Sequence, residues 1–331
     1  MSGVIRLGTR ASALATTQSR WVGDRLSAAL DRPVELVEIT TEGDRDGRSL
    51  AQLGGTGVFV SALRAALLDD RIDVAVHSLK DLPTEAAAGI ALAAVPVRED
   101  PRDVLVARDG LTLGELPVGS RVGTGSPRRA AQLHALGLGL EITDIRGNVD
   151  TRIGKVRDGA YDAVVLARAG LARLGRLDEA TEVLDPLQVL PAPGQGALAV
   201  ETREGDDLAG EVAVLDDAHT RAAVTAERAV LATLEGGCTA PIGVLAEVVE
   251  GDGGEELWVR ATALSPDGTL AVRMSATGDP ADAAGVGNRL AGQMLDEGAA
   301  QLTKTQARTQ ARTQPSSPHE PPVTDCERQE A

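Results

Sequence analysis

The spacing of hydrophobic and polar positions changes along the first part of the chain. Residues 4–8 form a short apolar run typical of a buried strand, and an amphipathic stretch with helical spacing follows to about Leu30. Residues 34–40 alternate and are rich in β-branched side chains, which predicts a second strand. A helix is predicted over 58–70 and a third strand over 73–77. Strands separated by helices in this order indicate a parallel, doubly wound sheet.

The same order of elements then recurs. Strands are predicted over 120–123 and 140–145, with a helix over 127–136 between them. The segment 156–165 also resembles 67–76 in its pattern of acidic and β-branched residues. We therefore expect two related α/β domains, whose strand ends and helix N-termini face one cleft.

The pattern changes again from about His219. A helix to Leu234 and a final helix over 281–297 are predicted, with strands at 243–249, 257–264 and 270–275. A hairpin turn at 265–268 joins the last two strands. These elements predict a small α+β C-terminal domain. Residues 301–331 contain almost no apolar side chains, so we expect a disordered tail.

Composition and charge restrict the function classes. The formal net charge of −16 argues against nucleic acid and anionic membranes as partners, because phosphate binding needs surplus positive charge. No apolar run is long enough to cross a bilayer, and the first residues do not resemble a secretion signal, so a cytoplasmic location is expected. Lysine is rare, so Lys80 stands out. His77 has no second His or Cys at ligand spacing, and no metal site is predicted.

Two segments after predicted strands could bind or polarise an anionic substrate. In Ser126-Pro127-Arg128-Arg129, a capping serine and a helix N-terminus combine with two guanidinium groups. A solvated helix surface is the alternative interpretation. Lys80 and Asp81 follow the third strand, where a cation could hold an anionic group and a carboxylate could stabilise positive charge or move a proton. Asp81 could also simply cap a turn.

Cys238 lies in a glycine-flanked segment that resembles a loop, and the second cysteine, Cys326, lies in the polar tail. A disulfide between a globular body and such a tail is not expected. A thiolate with small neighbours leaves room for a bulky group to be attached. The other interpretation is an inert, small hydrophobic residue.

Eight segments together resemble the porphobilinogen deaminase family, also called hydroxymethylbilane synthases, over about residues 4–299. They are residues 10–12, 54–59, 77–83, 99–103, 126–129, 146–152, 190–197 and 235–238. The resemblance implies a monomeric transferase that condenses four porphobilinogen molecules, with release of ammonia, into linear hydroxymethylbilane for tetrapyrrole and haem biosynthesis. It also implies one covalent dipyrromethane cofactor per chain.

The resemblance assigns roles by position. Cys238 matches the cysteine that carries the dipyrromethane, and Asp81, with Lys80, matches the catalytic position beside the pyrrole nitrogens. Cofactor binding is assigned to Asp81 as well and, through the cofactor carboxylates, to Lys80, Ser126, Arg128, Arg129 and Arg146. Substrate contacts are assigned to Arg10, Ser12, Phe59, Arg146, Arg152 and Arg173, although Phe59 could equally belong to a core. Thr56, Gly125 and Pro127 depart from the residues that are usual in the family.

The resemblance also implies that the chain re-enters the first domain after residue 197. The expected division is domain 1 at 1–98 plus about 197–215, domain 2 at 99–196, domain 3 at 216–300 and a tail at 301–331. The first two resemble the halves of periplasmic binding proteins, so a non-catalytic anion-binding protein is the alternative function. A cysteine-nucleophile hydrolase would need a histidine base near Cys238, and His219 is the downstream candidate.

Overall fold

A computed structural model describes residues 3–39, 57–234, 240–251 and 253–302, with residues 57–59 described as backbone only. Its helices are α1 (Ala13–Leu30), α2 (Gly57–Leu68), α3 (Pro127–Ala135), α4 (Val149–Arg157), α5 (Arg168–Arg173), α6 (Leu208–Val212), α7 (Ala218–Thr233) and α8 (Ala283–Asp296). Its strands are β1 (Ile5–Thr9), β2 (Val34–Glu38), β3 (Val74–Ser78), β4 (Ile90–Ala94), β5 (Asp103–Ala107), β6 (Arg121–Gly123), β7 (Glu141–Thr143), β8 (Ala163–Ala167), β9 (Glu182–Val183), β10 (Leu198–Arg203), β11 (Ile242–Gly251), β12 (Gly254–Leu264) and β13 (Ala271–Gly278).

Strands β2, β1, β3, β10 and β4 form the first sheet in that order. Val74 and Val76 of β3 point to one face, where they pack with α1, and Ala75 points to the other face, where it packs with α2. This period-two alternation gives the sheet two buried faces and explains why helices cover both. The fold is therefore doubly wound, as the sequence predicts.

Strands β7, β6, β8, β5 and β9 form the second sheet, and its order repeats that of the first. Ala163 and Val165 of β8 pack in one core cluster, whereas Val164 and Leu166 pack in another on the opposite face. The strands predicted from the sequence are parallel as expected, β1 with β2 and β3 in the first sheet and β6 with β7 in the second, but each sheet contains one antiparallel strand that was not predicted. Strand β10 is antiparallel to β3 and β4, and β5 is antiparallel to β8 and β9.

The antiparallel strands are those by which the chain changes sheets. After β4 the chain crosses to the second sheet as β5, and after β9 it returns to the first sheet as β10. Each incoming strand inserts between two strands that run the other way, so its direction is set by the crossing. The two crossing segments, 95–102 and 184–197, lie between the sheets.

The third unit is an antiparallel sheet, β11–β12–β13, covered on one face by α7 and α8. Val244, Val259 and Ala261 alternate with residues of the opposite face and pack with Leu290 and Met294 of α8. Burying such side chains contributes about 1.5–3 kcal/mol each for the larger ones. No helix among the described residues is long and apolar enough to span a membrane.

Candidate active site

Lys80 and Asp81 lie in a short 3-10 turn, Leu79–Asp81, that directly follows β3. Leu79 is fully buried and anchors the turn, while Lys80 and Asp81 are half-buried. The carboxyl end of β3 faces the crossing segments, so both side chains lie where the two sheets meet. This is the edge at which open α/β sheets bind ligands.

Arg128 and Arg129 begin α3, directly after β6, and both side chains are buried. Each guanidinium donates to a different oxygen of the Asp103 carboxylate, at 2.7 Å in both cases. Arg128 also donates to the Leu190 carbonyl, and Arg129 donates to the Val165 carbonyl at 2.9 Å. The two arginines are therefore built into the fold and are not a solvated helix surface.

One chain of hydrogen bonds connects the turn after β3 to Asp103 at the start of β5. Lys80 Nζ donates to Gln195 Oε1 at 3.3 Å, and Gln195 Nε2 donates to Asp103 Oδ1 at 2.7 Å. Asp103 in turn binds Arg128 and Arg129. The structure thus brings Lys80 of the first sheet together with the arginines of the second.

Positive charge accumulates in this region. Burial lowers the pKa of Lys80 to about 8 against the opposing effect of Asp81, and the nearby Arg129 and Arg128 lower it as well. Burial also lowers the pKa of Arg152, and the charges of Arg129 and Arg146 act in the same direction. We call the group Lys80, Asp81, Asp103, Arg128, Arg129, Arg146 and Arg152 the cleft cluster. Its five cationic side chains outnumber its two carboxylates.

Burial disfavours ionisation of Asp103, but the charges and hydrogen bonds of Arg128 and Arg129 outweigh it and hold the pKa of this carboxyl far below its usual range. Asp103 is therefore ionised throughout the physiological range. One buried carboxylate compensates two buried guanidiniums, which leaves a surplus positive charge. Among the described residues, Nε of each arginine has no hydrogen-bond partner.

Arg146 and Arg152 of the cleft cluster, and Arg173 outside it, are buried to different extents. Arg146 is exposed and pairs with Asp144 at 2.8 Å. Arg152 Nε donates to the Gly147 carbonyl at 2.8 Å. Arg173, at the end of α5, donates to the Gly196 carbonyl at 2.7 Å, and burial lowers its pKa.

The remaining predicted residues occupy helix starts or lie outside the described part of the chain. Ser12 caps α1 by accepting a hydrogen bond from the Ala15 amide at 3.3 Å, and Arg10 lies between β1 and that cap. Ser126 caps α3 by accepting from the Arg129 amide at 3.4 Å. These caps fix helix N-termini at the ends of β1 and β6, where their dipoles favour anions.

Cys238 and Cys326 lie outside the described residues, as do Thr56 and most of the predicted tail. The backbone of Phe59 lies in α2, and its side chain is outside the description. Of the two other positions where the resemblance led us to expect a departure, Gly125 is exposed and Pro127 occupies the first turn of α3. Proline is favoured there because the first helical amide has no helical partner.

A buried ion pair joins the crossing segments to the third unit. Arg98 donates twice to the Glu227 carboxylate of α7, at 2.7 and 3.0 Å. Glu227 is fully buried and also accepts from the amides of Gly194 at 2.6 Å and Ala246 at 2.9 Å. One carboxylate of α7 therefore connects both crossing segments and β11.

Sequence reasoning assigned no individual roles to Asp103, Gln195 or Glu227. Asp103 and Gln195 do fall in two of the segments that carry the family resemblance, 99–103 and 190–197. Glu227 falls in none of them and follows a regular helical pattern, so no local signal could have distinguished it. Among the described residues, no group of His, Cys, Asp and Glu side chains is placed to hold a metal ion.

Comparison with protein families gives two matches. The family described as "Porphobilinogen deaminase, dipyromethane cofactor binding domain" matches residues 5–211, and "Porphobilinogen deaminase, C-terminal domain" matches residues 221–296. The chain is 58% identical to porphobilinogen deaminase of Mycobacterium tuberculosis over 305 residues, which covers 90% of this chain and 98% of the relative. It is 57% identical to the enzyme of Mycobacteroides abscessus, covering 90% and 99% respectively.

Among solved structures, the chain is similar to the methionine-binding protein MetQ, with 12% identity and a TM-score of 0.40 over 64% of this chain and 89% of that one. A periplasmic substrate-binding protein of an ABC transporter from Coxiella burnetii gives 13% identity and a TM-score of 0.41, over 64% and 91%.

Proposed function

The chain belongs to the porphobilinogen deaminase family, and we propose that the cleft cluster is where it holds and joins its substrate. The chain is a hydroxymethylbilane synthase of porphyrin biosynthesis: a transferase that acts on porphobilinogen and has a dipyrromethane cofactor. A non-catalytic anion-binding protein is not favoured. The observation that carries the proposed site is that two buried guanidiniums, of Arg128 and Arg129, share the single buried carboxylate of Asp103 where the two sheets meet.

The residues of the cleft cluster fit the dipyrromethane, whose pyrroles each carry an acetate and a propionate. Lys80, Arg128 and Arg129 offer cations that a single buried carboxylate, Asp103, does not fully compensate, and the two arginine Nε groups are buried donors without a described partner. Carboxylates would accept these hydrogen bonds and relieve the mutual repulsion. When bound, the cofactor supplies the pyrrole end to which substrate units are joined.

Arg146 and Ser126 complete the proposed cofactor contacts. Arg146 is exposed beside Arg152 and can turn from Asp144 toward a ligand carboxylate, because surface ion pairs of this kind are weak. Ser126 caps α3 and so presents its N-terminus to the cleft. The proposed attachment point is Cys238, outside the described residues.

Asp81 is the proposed catalytic carboxylate, with Lys80 as its neighbour. Loss of ammonia from porphobilinogen leaves positive charge on the pyrrole ring, and a fixed carboxylate at the end of β3 stabilises that charge as it forms. Lys80 holds a ligand carboxylate beside it, so that the ring lies against Asp81. The charges of Lys80 and Asp81 are thus used on different parts of the same ligand.

Substrate carboxylates are proposed to bind Arg10, Ser12, Arg146, Arg152 and Arg173, and Phe59 to pack over a pyrrole ring. Arg10 and Ser12 lie just before α1, and Arg173 ends α5, so these contacts come from both sheets. A substrate that bridges them is enclosed between the sheets and separated from bulk water.

We also propose the division into domain 1 at 1–98 plus 197–215, domain 2 at 99–196, domain 3 at 216–300 and a tail at 301–331. The insertion of β10 between β3 and β4 supports the split first domain. A monomer located in the cytoplasm is proposed with it. Sedimentation at several concentrations tests the monomer.

Mass spectrometry tests the cofactor assignment. The purified active enzyme should carry dipyrromethane on the peptide that contains Cys238 and none on the peptide that contains Cys326. The matched control is Cys326→Ser, which should keep both the added mass and full activity, whereas Cys238→Ser should lose both. An active enzyme with an unmodified Cys238 would refute the attachment point.

Exchange of single arginines tests the cleft cluster. Arg146→Gln should raise KM for porphobilinogen or impair cofactor assembly, because a charge-assisted hydrogen bond of about 1.5–3 kcal/mol is lost. Arg157→Gln is the matched control, since Arg157 is also exposed and paired with a carboxylate, that of Glu179, but lies at the far end of α4. Equal kinetics in both variants would contradict the proposed role of Arg146.

A further inference from the structure

A second cavity, of about 280 Å³, lies between the second sheet and the third unit. Gln132 of α3 and Leu187 and Leu190 of the second crossing segment line one side, and β12 and β13 line the other. We call it the interface cavity. It shares no side chain with the cleft cluster, and its volume is close to the lower limit of small-ligand pockets.

Two arginines of the third unit line this cavity. Arg260 of β12 pairs in register with Ser275, and Arg273 of β13 is two residues from Ser275, so the arginines are diagonal neighbours on one face of the sheet. Diagonal neighbours have their Cα atoms roughly 7–8 Å apart, close enough for two long cationic side chains to repel each other.

Neither guanidinium has an acidic partner among the described residues. Arg260 lies over the Trp258 ring, 4.6 Å from its centroid, and Arg273 is exposed. Glu247 lies on the same sheet face, opposite Trp258, yet forms no ion pair with either arginine within the described part of the chain. Most other arginines that the structure describes do pair with carboxylates, so two unpaired neighbours on one cavity wall are unusual here.

Thr262 supplies a second, independent feature. It lies on the same face of the sheet, two residues after Arg260 and directly opposite Arg273, and is only 3% exposed. Its Oγ1 is buried and has no hydrogen-bond partner among the described residues, although the residue lines the cavity. A buried hydroxyl without a partner costs free energy, and a ligand oxygen in the cavity would satisfy it.

The other walls are apolar. Pro186, Leu187, which is 74% exposed, and Leu190 supply this apolar surface on the side of the second crossing segment. An inorganic anion would leave these surfaces wet, whereas an organic anion can cover them with its carbon chain. The Gln132 side chain bonds both the amide and the carbonyl of Leu190, at 2.7 and 3.0 Å, and so keeps this wall fixed.

We propose that the interface cavity is a second anion site, which takes a small organic dicarboxylate with an apolar body. Arg260 and Arg273 bind its carboxylates, Thr262 donates its hydroxyl hydrogen to one of them, and Leu187 and Leu190 cover the carbon chain. Because its walls come from the second sheet and the third unit, an occupied site stabilises their contact. The site does not depend on the proposed function of the cleft cluster.

Titration calorimetry of the cofactor-loaded enzyme with adipate tests the site. Wild-type enzyme should bind adipate saturably, and Arg260→Gln and Arg273→Gln should each weaken binding on the order of tenfold or more. Thr262→Val should weaken it severalfold and Thr262→Ser should restore it. Without adipate, Thr262→Val should melt no lower than wild type, because it removes an unsatisfied hydroxyl.

Arg152→Gln is the control for binding in the cleft. Unchanged adipate affinity in Arg152→Gln, together with weakened affinity in Arg273→Gln, supports the interface cavity. Weakened affinity in Arg152→Gln but not in Arg273→Gln places adipate in the cleft and overturns the proposal. The absence of saturable binding to the wild-type enzyme overturns it as well.

Discussion

Replacing Asp103 by Asn should destabilise the protein more than any other single loss of charge around the cleft. The Asp103 carboxylate is fully buried and accepts hydrogen bonds from Arg128, Arg129 and Gln195, each at 2.7 Å. Asn has nearly the same size but no charge, and one of its two polar atoms is a donor. Two buried guanidiniums would then face each other without a carboxylate.

Breaking a buried ion pair from one side costs about 3–5 kcal/mol, because the remaining charge stays buried and uncompensated. For a folding unit of 150–250 residues this corresponds to a fall in Tm of roughly 6–20 °C. The pKa of Asp103 is depressed in the folded protein. The stabilisation that its carboxylate gives the fold is therefore fully present above the unfolded-state pKa of about 3.9, and it is lost as pH falls through the folded-state pKa. The effect of the substitution should therefore be constant between about pH 5 and 8.

Asp144→Asn is the matched control, because Asp144 also pairs with an arginine, Arg146, but with both side chains more than half exposed. Exposed pairs of this kind contribute about 0–1 kcal/mol. Thermal melting of both variants with and without dipyrromethane provides the measurement. Cofactor carboxylates would add negative charge near Arg128 and Arg129 but cannot enter the buried space of Asp103, so the loss should persist in the loaded enzyme. Equal melting of Asp103→Asn and Asp144→Asn would refute the reasoning.

Other substitutions probe the same region. Asp81→Asn should fold normally. Once loaded with dipyrromethane, this variant should consume porphobilinogen on the order of a hundredfold more slowly than the wild type. Wild-type turnover would exclude a role of the Asp81 charge in stabilising the pyrrole cation. The depressed pKa of Lys80, about 8, means that its charge is lost as pH rises through that value, so porphobilinogen binding should weaken on the alkaline side. Lys80→Arg should shift this alkaline loss of binding to higher pH. An unshifted pH dependence would mean that another group causes the loss. Gly196→Ala should lower the free energy of unfolding in urea more than Gly205→Ala. Both glycines have positive φ, but only at Gly196 would a Cβ lie 2.2 Å from the Glu99 carbonyl oxygen. Similar losses in both variants would show that backbone φ alone determines the loss of stability.

The local elements follow from the sequence alone, as does the chemical character of the residues proposed for the site. Periods of two and 3.6 residues predict β1, α1 and β3 close to their bounds in the structure, since each element buries one face or stripe of its own residues. The family resemblance identified the residues around Lys80 and Asp81 and predicted the return of the chain toward the first sheet. Local order of this kind depends on neighbours in the chain, so the sequence pattern records it directly.

The direction of β5 and β10 depends on the tertiary fold, because a short apolar run has the same pattern in both directions. The crossing of the chain fixes which way each strand inserts. The tertiary fold also decided that Arg128 and Arg129 share Asp103, and that Glu227 binds Arg98, a residue 129 positions away in the chain. Charges so distant in sequence become partners only when packing removes them from water together. In the same way, the interface cavity exists only where the third unit packs against α3.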